Sequence, residues 1–224
     1  MKEAINGDAE VIIITNNIEI TECLNISRVV TIAANTDVVV TDNVTDDNMF
    51  YLTKDGNLTL GGGRGVLNFI QGSNTMTAIA TATTSNINLS INIMDDVKFT
   101  SGKYYWISFN AGTNTVLNIK GGEFTDNTRV PIYINNAAAT CNMTGGLISN
   151  NTDTTTCAGI YVSKGNLYIT GGTVKNNTVT SDSSLSGSSI RAPTEIQGTV
   201  TINGTVITAS ATYTTNIIDG IPQE

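Results

Sequence analysis

The chain has 224 residues, 40% of them hydrophobic and only 13% charged, with 27 Asn, 36 Thr and 15 Ser supplying most of its polarity. A net charge of −8 opposes a phosphate-backbone partner, so no nucleic acid is expected. The absence of His removes Ser-His-Asp and Cys-His pairs and the usual zinc sites, and no apolar run is long enough to insert in a membrane as a helix.

Residues 1–6 lack the apolar core of a secretory signal and read as the start of a segment cut from a larger protein, or of a processed form carrying an added Met. Helical periodicity is nearly absent beyond them. The chain runs instead through short β-rich segments such as Val11-Ile12-Ile13-Ile14, Val29-Val30-Thr31-Ile32 and Val38-Val39-Val40. Further on come Phe50-Tyr51-Leu52, Ala78-Ile79-Ala80, Ile107-Ser108-Phe109, Ile132-Tyr133-Ile134, Ile160-Tyr161-Val162 and Ser189-Ile190-Arg191. Each is followed by another alternating run, for example Leu117-Asn118-Ile119 and Leu167-Tyr168-Ile169.

A third element is marked by glycine pairs. Asn118-Ile119-Lys120-Gly121-Gly122-Glu123-Phe124-Thr125-Asp126-Asn127 matches the stretch from Asn142 through Gly145-Gly146 and Ile148 to Asn151. It also matches the stretch from Tyr168 through Gly171-Gly172 and Val174 to Asn177, the pairs lying 24 and then 26 residues apart. A weaker copy precedes them at Asn92-Ile93-Met94-Asp95-Asp96-Val97-Lys98-Phe99, and a degenerate one follows at Thr201-Ile202-Asn203-Gly204-Thr205-Val206. Self-similarity at a fixed period marks a repeat architecture.

Each unit therefore holds three short strands, and the turns between them are Gly, Asn and Asp rather than paired hairpin signals. A propeller blade would need four strands in roughly 40 to 50 residues. A coil of three strands that rises one strand spacing, about 4.7–4.9 Å, lets each turn bury its apolar face on the next. The fold predicted is an all-β, single-stranded parallel β-helix. One domain spans 1–224, with 1–45 as N-terminal cap and first coils, 46–203 as repeated coils and 204–224 as C-terminal end or cap. Ile132 and Ile134 then point inward and Tyr133 outward, and Phe124, Ile148, Val174 and Val206 share an interior column. The Gly pairs supply bends where a Cβ is excluded, and Asn127, Asn151 and Asn177 stack as an amide ladder just after them.

Gly-Gly-x-(Phe/Ile/Val)-x-x-Asn followed by Ile-Tyr-(Ile/Val) resembles the repeats of bacterial and archaeal surface proteins, including adhesin-like ones, with a right-handed, pectin-lyase-like β-helix. The resemblance implies a right-handed solenoid with three short strands per coil, an extracellular or cell-surface location, and a short N-terminal capping helix. It specifies function poorly, because one scaffold carries lyases, hydrolases, adhesins and stalks.

Candidate sites follow from side chains left on the outside. Tyr133 and Tyr161 hold one repeat position, Tyr168 lies outward on the next strand, and Tyr105 and Trp106 precede the equivalent strand one coil earlier. Such a row could stack on sugars while amides bind their hydroxyls; its bland counterpart is cross-strand packing. Asp42, Asp46 and Asp47 share one turn and supply oxygens of the kind calcium takes, although acidic turns are usually solvated. No catalytic residue is assigned and no other cofactor is implied. Asp95-Asp96, at the Gly-Gly position, reads as a turn, and Cys23, Cys141 and Cys157 as small buried hydrophobes without a disulfide framework. Eight Asn-x-Ser/Thr sequons scarcely exceed chance, Ser181 to Ser189 reads as a loop, and the Thr-rich stretches do not recur as an ice-binding column would. The function expected is a non-catalytic, adhesin-like face for a glycan or a host or cell-surface protein. The alternatives are a polysaccharide lyase or glycoside hydrolase segment and a structural spacer.

Overall fold

Alternating side chains and corners marked by Gly, Asn and Asp bend the chain into a three-faced coil in the computed structural model, which describes residues 1–82, 88–110, 112–154, 157–181, 189–191, 198–207, 212–213 and 216–223. The result is a parallel β-solenoid of about six turns, 3% helical. Face I carries the strands Val11–Ile14, Val29–Ala34, Asn57–Leu60, Asn88–Ile93 and Asn114–Ile119, each parallel to the next. Face II carries Ile18–Ile20, Val38–Asp42, Leu67–Gln71, Val97–Thr100, Glu123–Thr125, Leu147–Ser149 and Thr173–Lys175. Face III carries Leu24–Ile26, Phe50–Leu52, Ile79–Thr81 and Ile107–Phe109. In the next two coils single bent strands, Ile132–Met143 and Ile160–Ile169, serve faces III and I together, with register shifts at the bend.

In-register pairing shelves like residues in columns. Leu58, Ile91, Leu117, Cys141 and Leu167 form one on face I. Phe69, Phe99, Phe124, Ile148 and Val174 form another on face II. All ten are fully buried, each large apolar side chain contributing roughly 1.5–3 kcal/mol on transfer from water. Phe69 and Phe99 stack at 5.2 Å, Phe99 and Phe124 at 4.6 Å.

The two glycines of each pair do different jobs. At Gly146 φ is +87°, a conformation other residues adopt only with strain, while a Cβ on Gly145 would stand 2.2 Å from the Lys120 carbonyl oxygen of the previous coil. Gly121, Gly122, Gly171 and Gly172 repeat that division. One coil before the first pair, Asp95-Asp96 does serve a turn, the Asp96 carboxylate accepting the Gly62 and Gly63 amides at 2.7 and 2.9 Å.

The asparagine ladder runs inside the corner from face II to face III. Asn127 Nδ2 donates to Asn151 Oδ1 at 2.7 Å and Asn151 Nδ2 to Asn177 Oδ1 at 2.9 Å. Each amide also donates to a backbone carbonyl, those of Phe99, Phe124 and Ile148. All three side chains are buried. The residue before each, Asp126, Asn150 or Asn176, takes φ between 55° and 57°, which turns the following Asn inward.

The ends are built differently. Helix Lys2–Asn6 places buried Ile5 against the first coil, and Arg28 donates to the Ala4 and Ile5 carbonyls, holding the helix's C-terminal turn in place. At the other end the degenerate repeat is not a further coil. Asn203 and Gly204, at φ 46° and 81°, form a tight hairpin, and Thr205–Ile207 returns antiparallel along Gly198–Ile202. Thr212–Tyr213 then lies antiparallel on Ile190–Arg191, and Ile217–Ile218 on the Thr173–Lys175 strand. A reversed turn thus covers all three faces. Ile217, not Val206, stands beside Val174 in the interior column. A second hairpin at Asp219-Gly220 adds Ile221–Pro222, whose proline offers no N–H to a further strand. The expected loop from Ser181 to Ser189 falls largely outside the described residues.

Candidate functional site

Face III positions the tyrosines. Register places Tyr51, Ala80, Ser108, Tyr133, Tyr161 and Arg191 in one outward column. Ser108 is buried, and at its level the Tyr105 ring stacks on Tyr133 at 4.9 Å; Tyr133 stacks on Tyr161 at 5.1 Å, the planes 12° apart. Arg129 closes the Tyr105 end, its guanidinium carbon 5.3 Å from the ring centroid and Nη2 donating to the Tyr105 hydroxyl at 3.2 Å. The guanidinium is held in turn by buried Asp153, 3.5 Å away. Burial and then the neighbouring Tyr133 push the Tyr161 phenol above its ordinary range.

The rings in this stack turn their faces to one another. Tyr133 has a ring on both sides, so a sugar arriving from solution meets ring edges and phenol hydroxyls there. Trp106 does not join the row. It is fully buried at the corner, donating Nε1–H to Asn127 Oδ1 at 2.8 Å and packing on Phe99 at 5.1 Å. Its residue lies one position before the strand, where the chain turns inward over the amide ladder, so its side chain fills the corner instead of facing out.

Tyr168 stands across the bend on face I, 40% exposed. It continues a different column, which reads Thr31, Thr59, Asn92, Asn118, Asn142, Tyr168 and Thr201. Asn118 donates to Asn92 at 2.9 Å and Asn142 to Asn118 at 3.0 Å; Asn114 donates to Asn88 at 2.8 Å four residues earlier on the same strands. Asn92 Nδ2 itself donates to Asn57 Oδ1 and Thr59 Oγ1, both at 3.3 Å, so these links fix the amide rotamers, and Asn118 and Asn142 each keep a second N–H and a further lone pair. The neighbouring column, Val29, Asn57, Ser90, Val116, Thr140 and Asn166, is likewise free of charge. This second row was missed because outward Asn looks like ordinary solubility in a chain so rich in Asn; the signal was its recurrence three residues before each Gly-Gly or Asp-Asp corner.

The acidic turn is divided. Asp42 is fully buried, accepting from Asn74 Nδ2 at 2.7 Å and from the Val44 N–H at 3.3 Å, whereas Asp46 and Asp47 are exposed. The three carboxylates do not converge, and among the described residues no group of three or more metal-ligating side chains does. Alternation in Val38–Asp42 sends Asp42 inward with Val38 and Val40. Burial raises its pKa to about 6, the bonds from Asn74 and Val44 pulling the other way. The folded state therefore holds the proton more tightly than the unfolded chain. The stabilisation from Asp42 is complete below about pH 4 and is lost as pH rises through about 6, a change of about 3 kcal/mol. Asp42→Asn is expected to remove that slope, read by urea unfolding at pH 4 to 7; an unchanged slope would contradict the buried carboxylate. Cys141 and Cys157 are buried and Cys23 half-buried, Cys157 Sγ donating to the Ile160 carbonyl at 3.3 Å and burial pushing the Cys141 thiol up to about 12.

Comparison with known proteins finds no matching family model, no matching curated protein and no matching solved structure.

Proposed function

We propose that the chain is a non-catalytic, surface-displayed β-helix module of the adhesin-like kind that presents face I to an extended, uncharged glycan. The observation that carries this reading is the row Asn92–Asn118–Asn142, its amides locked to one another and leading to the exposed ring of Tyr168. Four features support it. The row has no charge in a chain whose net charge is −8, which suits a neutral ligand. Amide N–H and C=O groups match sugar hydroxyls, which both donate and accept. One coil rises about 4.8 Å, close to the span of one sugar unit in an extended chain, so a glycan laid along the axis meets like groups at each coil. Tyr168 is an exposed ring in register with Asn142, whereas the face III tyrosines stack on one another.

Calorimetry with hexasaccharides of β-1,4-linked glucose and N-acetylglucosamine tests the reading. Binding by the wild type is expected, with Tyr168→Ala weakening it about tenfold. Replacing both Tyr133 and Tyr161 by Ala is expected to leave affinity close to wild type. Binding that survives Tyr168→Ala combined with Asn118→Ala, or none to any neutral glycan on an array, would overturn it.

A further inference from the structure

The two ends of the solenoid treat their strand edges differently. The C-terminal end is covered on all three faces by antiparallel strands, the outermost described one being Ile221–Pro222. At the N-terminal end the helix sits against the Leu24–Ile26 strand, while among the described residues Val11–Ile14 pairs on one side only and is the outermost strand of its sheet. The Thr31 N–H donates to the Glu10 carbonyl at 2.8 Å, so backbone groups of Glu10, Ile12 and Ile14 face the neighbouring strand. Those of Val11 and Ile13 therefore point away from the sheet. Beside this edge lies a groove of about 220 Å³ whose lining includes Met1, Ala4, Ile12, Ile13, Ile14 and Ile18, where the helix does not completely cover the core. On the outer side Val11 is 56% and Ile13 40% exposed.

We propose that this edge takes up an extended strand from a partner protein, apolar at alternate positions and flanked by basic residues. Unpaired backbone groups supply the strand-to-strand bonds, and the groove receives every second side chain, the two requirements of strand addition. Charge decides the flanks. Residues 1–22 hold Glu3, Asp8, Glu10, Glu19 and Glu22 against Lys2 alone, half of the chain's net charge of −8. Lys2 is already bonded to Glu22, and the Arg28 guanidinium is turned into the carbonyls of Ala4, Ile5 and Val29. A second copy of this chain would bring like charges together at the same edge, which disfavours it as the occupant.

Ile13→Pro isolates the edge, since the N–H it removes points away from the sheet and the bonds to Val29–Ala34 remain. The probe is a fluorescein-labelled nonapeptide of alternating valine and threonine with lysines at both ends, followed by anisotropy. Saturable binding to the wild type is expected, weakening with salt, with about a tenfold loss for Ile13→Pro and for the same peptide flanked by glutamates. Circular dichroism melting confirms that the variant folds, and Glu10→Lys with Glu19→Lys is expected to reverse the preference between the peptides. Equal affinity for wild type and Ile13→Pro, no preference between the flanks, or a concentration-dependent homodimer abolished by Ile13→Pro would overturn the proposal. Glycan binding at face I is read separately and survives any of these outcomes.

Discussion

Asn151→Leu is expected to lower stability by about 4 kcal/mol, although leucine is of similar size and the site is fully buried. The Asn151 amide donates to Asn177 Oδ1 at 2.9 Å and to the Phe124 carbonyl at 3.0 Å. Its oxygen accepts from the Asn127 side chain at 2.7 Å and from the Asn127 N–H at 3.1 Å. Leucine makes none of these bonds, and the stranded donors and acceptors have no water to turn to, so the cost is that of several buried unsatisfied groups. In thermal unfolding this amounts to a drop of roughly 10 °C. The neighbouring Asn150 is the control: it is exposed with φ at 56°, so Asn150→Leu should cost only about 1–2 kcal/mol of backbone strain. Equal melting temperatures for Asn151→Leu and wild type would refute the ladder.

Phe99→Ala is expected to cost about 4–5 kcal/mol in urea unfolding. The ring lies between Phe69 at 5.2 Å and Phe124 at 4.6 Å, both nearly parallel to it, and against Trp106 at 5.1 Å. Removing it opens a cavity in the middle of the stack, and strands held in register on both sides restrict collapse. Phe99→Leu keeps most of the volume and loses the ring contacts, so it should cost about 1–2 kcal/mol. A loss below about 1 kcal/mol for Phe99→Ala would mean that these phenylalanines do not share one interior column.

The parallel coil was legible because stacking forces like residues to recur. Leu117, Cys141 and Leu167 pair in register as their spacing implied, and Asn127, Asn151 and Asn177 bond as their position after each glycine pair implied. Even the weak copy ending at Phe99 proved to be a full coil. The C-terminal reversal was hidden by coincidence. Asn203-Gly204-Thr205-Val206 imitates the glycine-pair motif, yet Asn-Gly is also the strongest two-residue hairpin signal, and both residues adopt the positive φ that such a turn requires. Asp219-Gly220 repeats the lesson.

The candidate face was legible only in part. Recurrence put Tyr133 and Tyr161 on one outward column. It carried no information on how close the rings would stand, and at one strand spacing they stack on each other. Trp106 and Asp42 went astray at strand boundaries: Trp106 lies one position before Ile107–Phe109 and turns into the corner, whereas Asp42 carries the alternation of Val38 and Val40 one step further and so points inward. The amide row on face I was in plain view but carried no chemistry that composition alone would single out.

Proton–proton contacts between neighbouring strands, read by nuclear magnetic resonance, test the parallel register most directly. The contacts expected link Leu117 to Cys141 and Cys141 to Leu167 in the parallel pattern, with antiparallel pairing among the described residues limited to the C-terminal reversal, as across the Asn203-Gly204 hairpin, and to the single Ala34–Gly65 bridge. Close Hα pairs joining the repeated strands to one another in opposed directions would contradict the solenoid and the faces assigned on it.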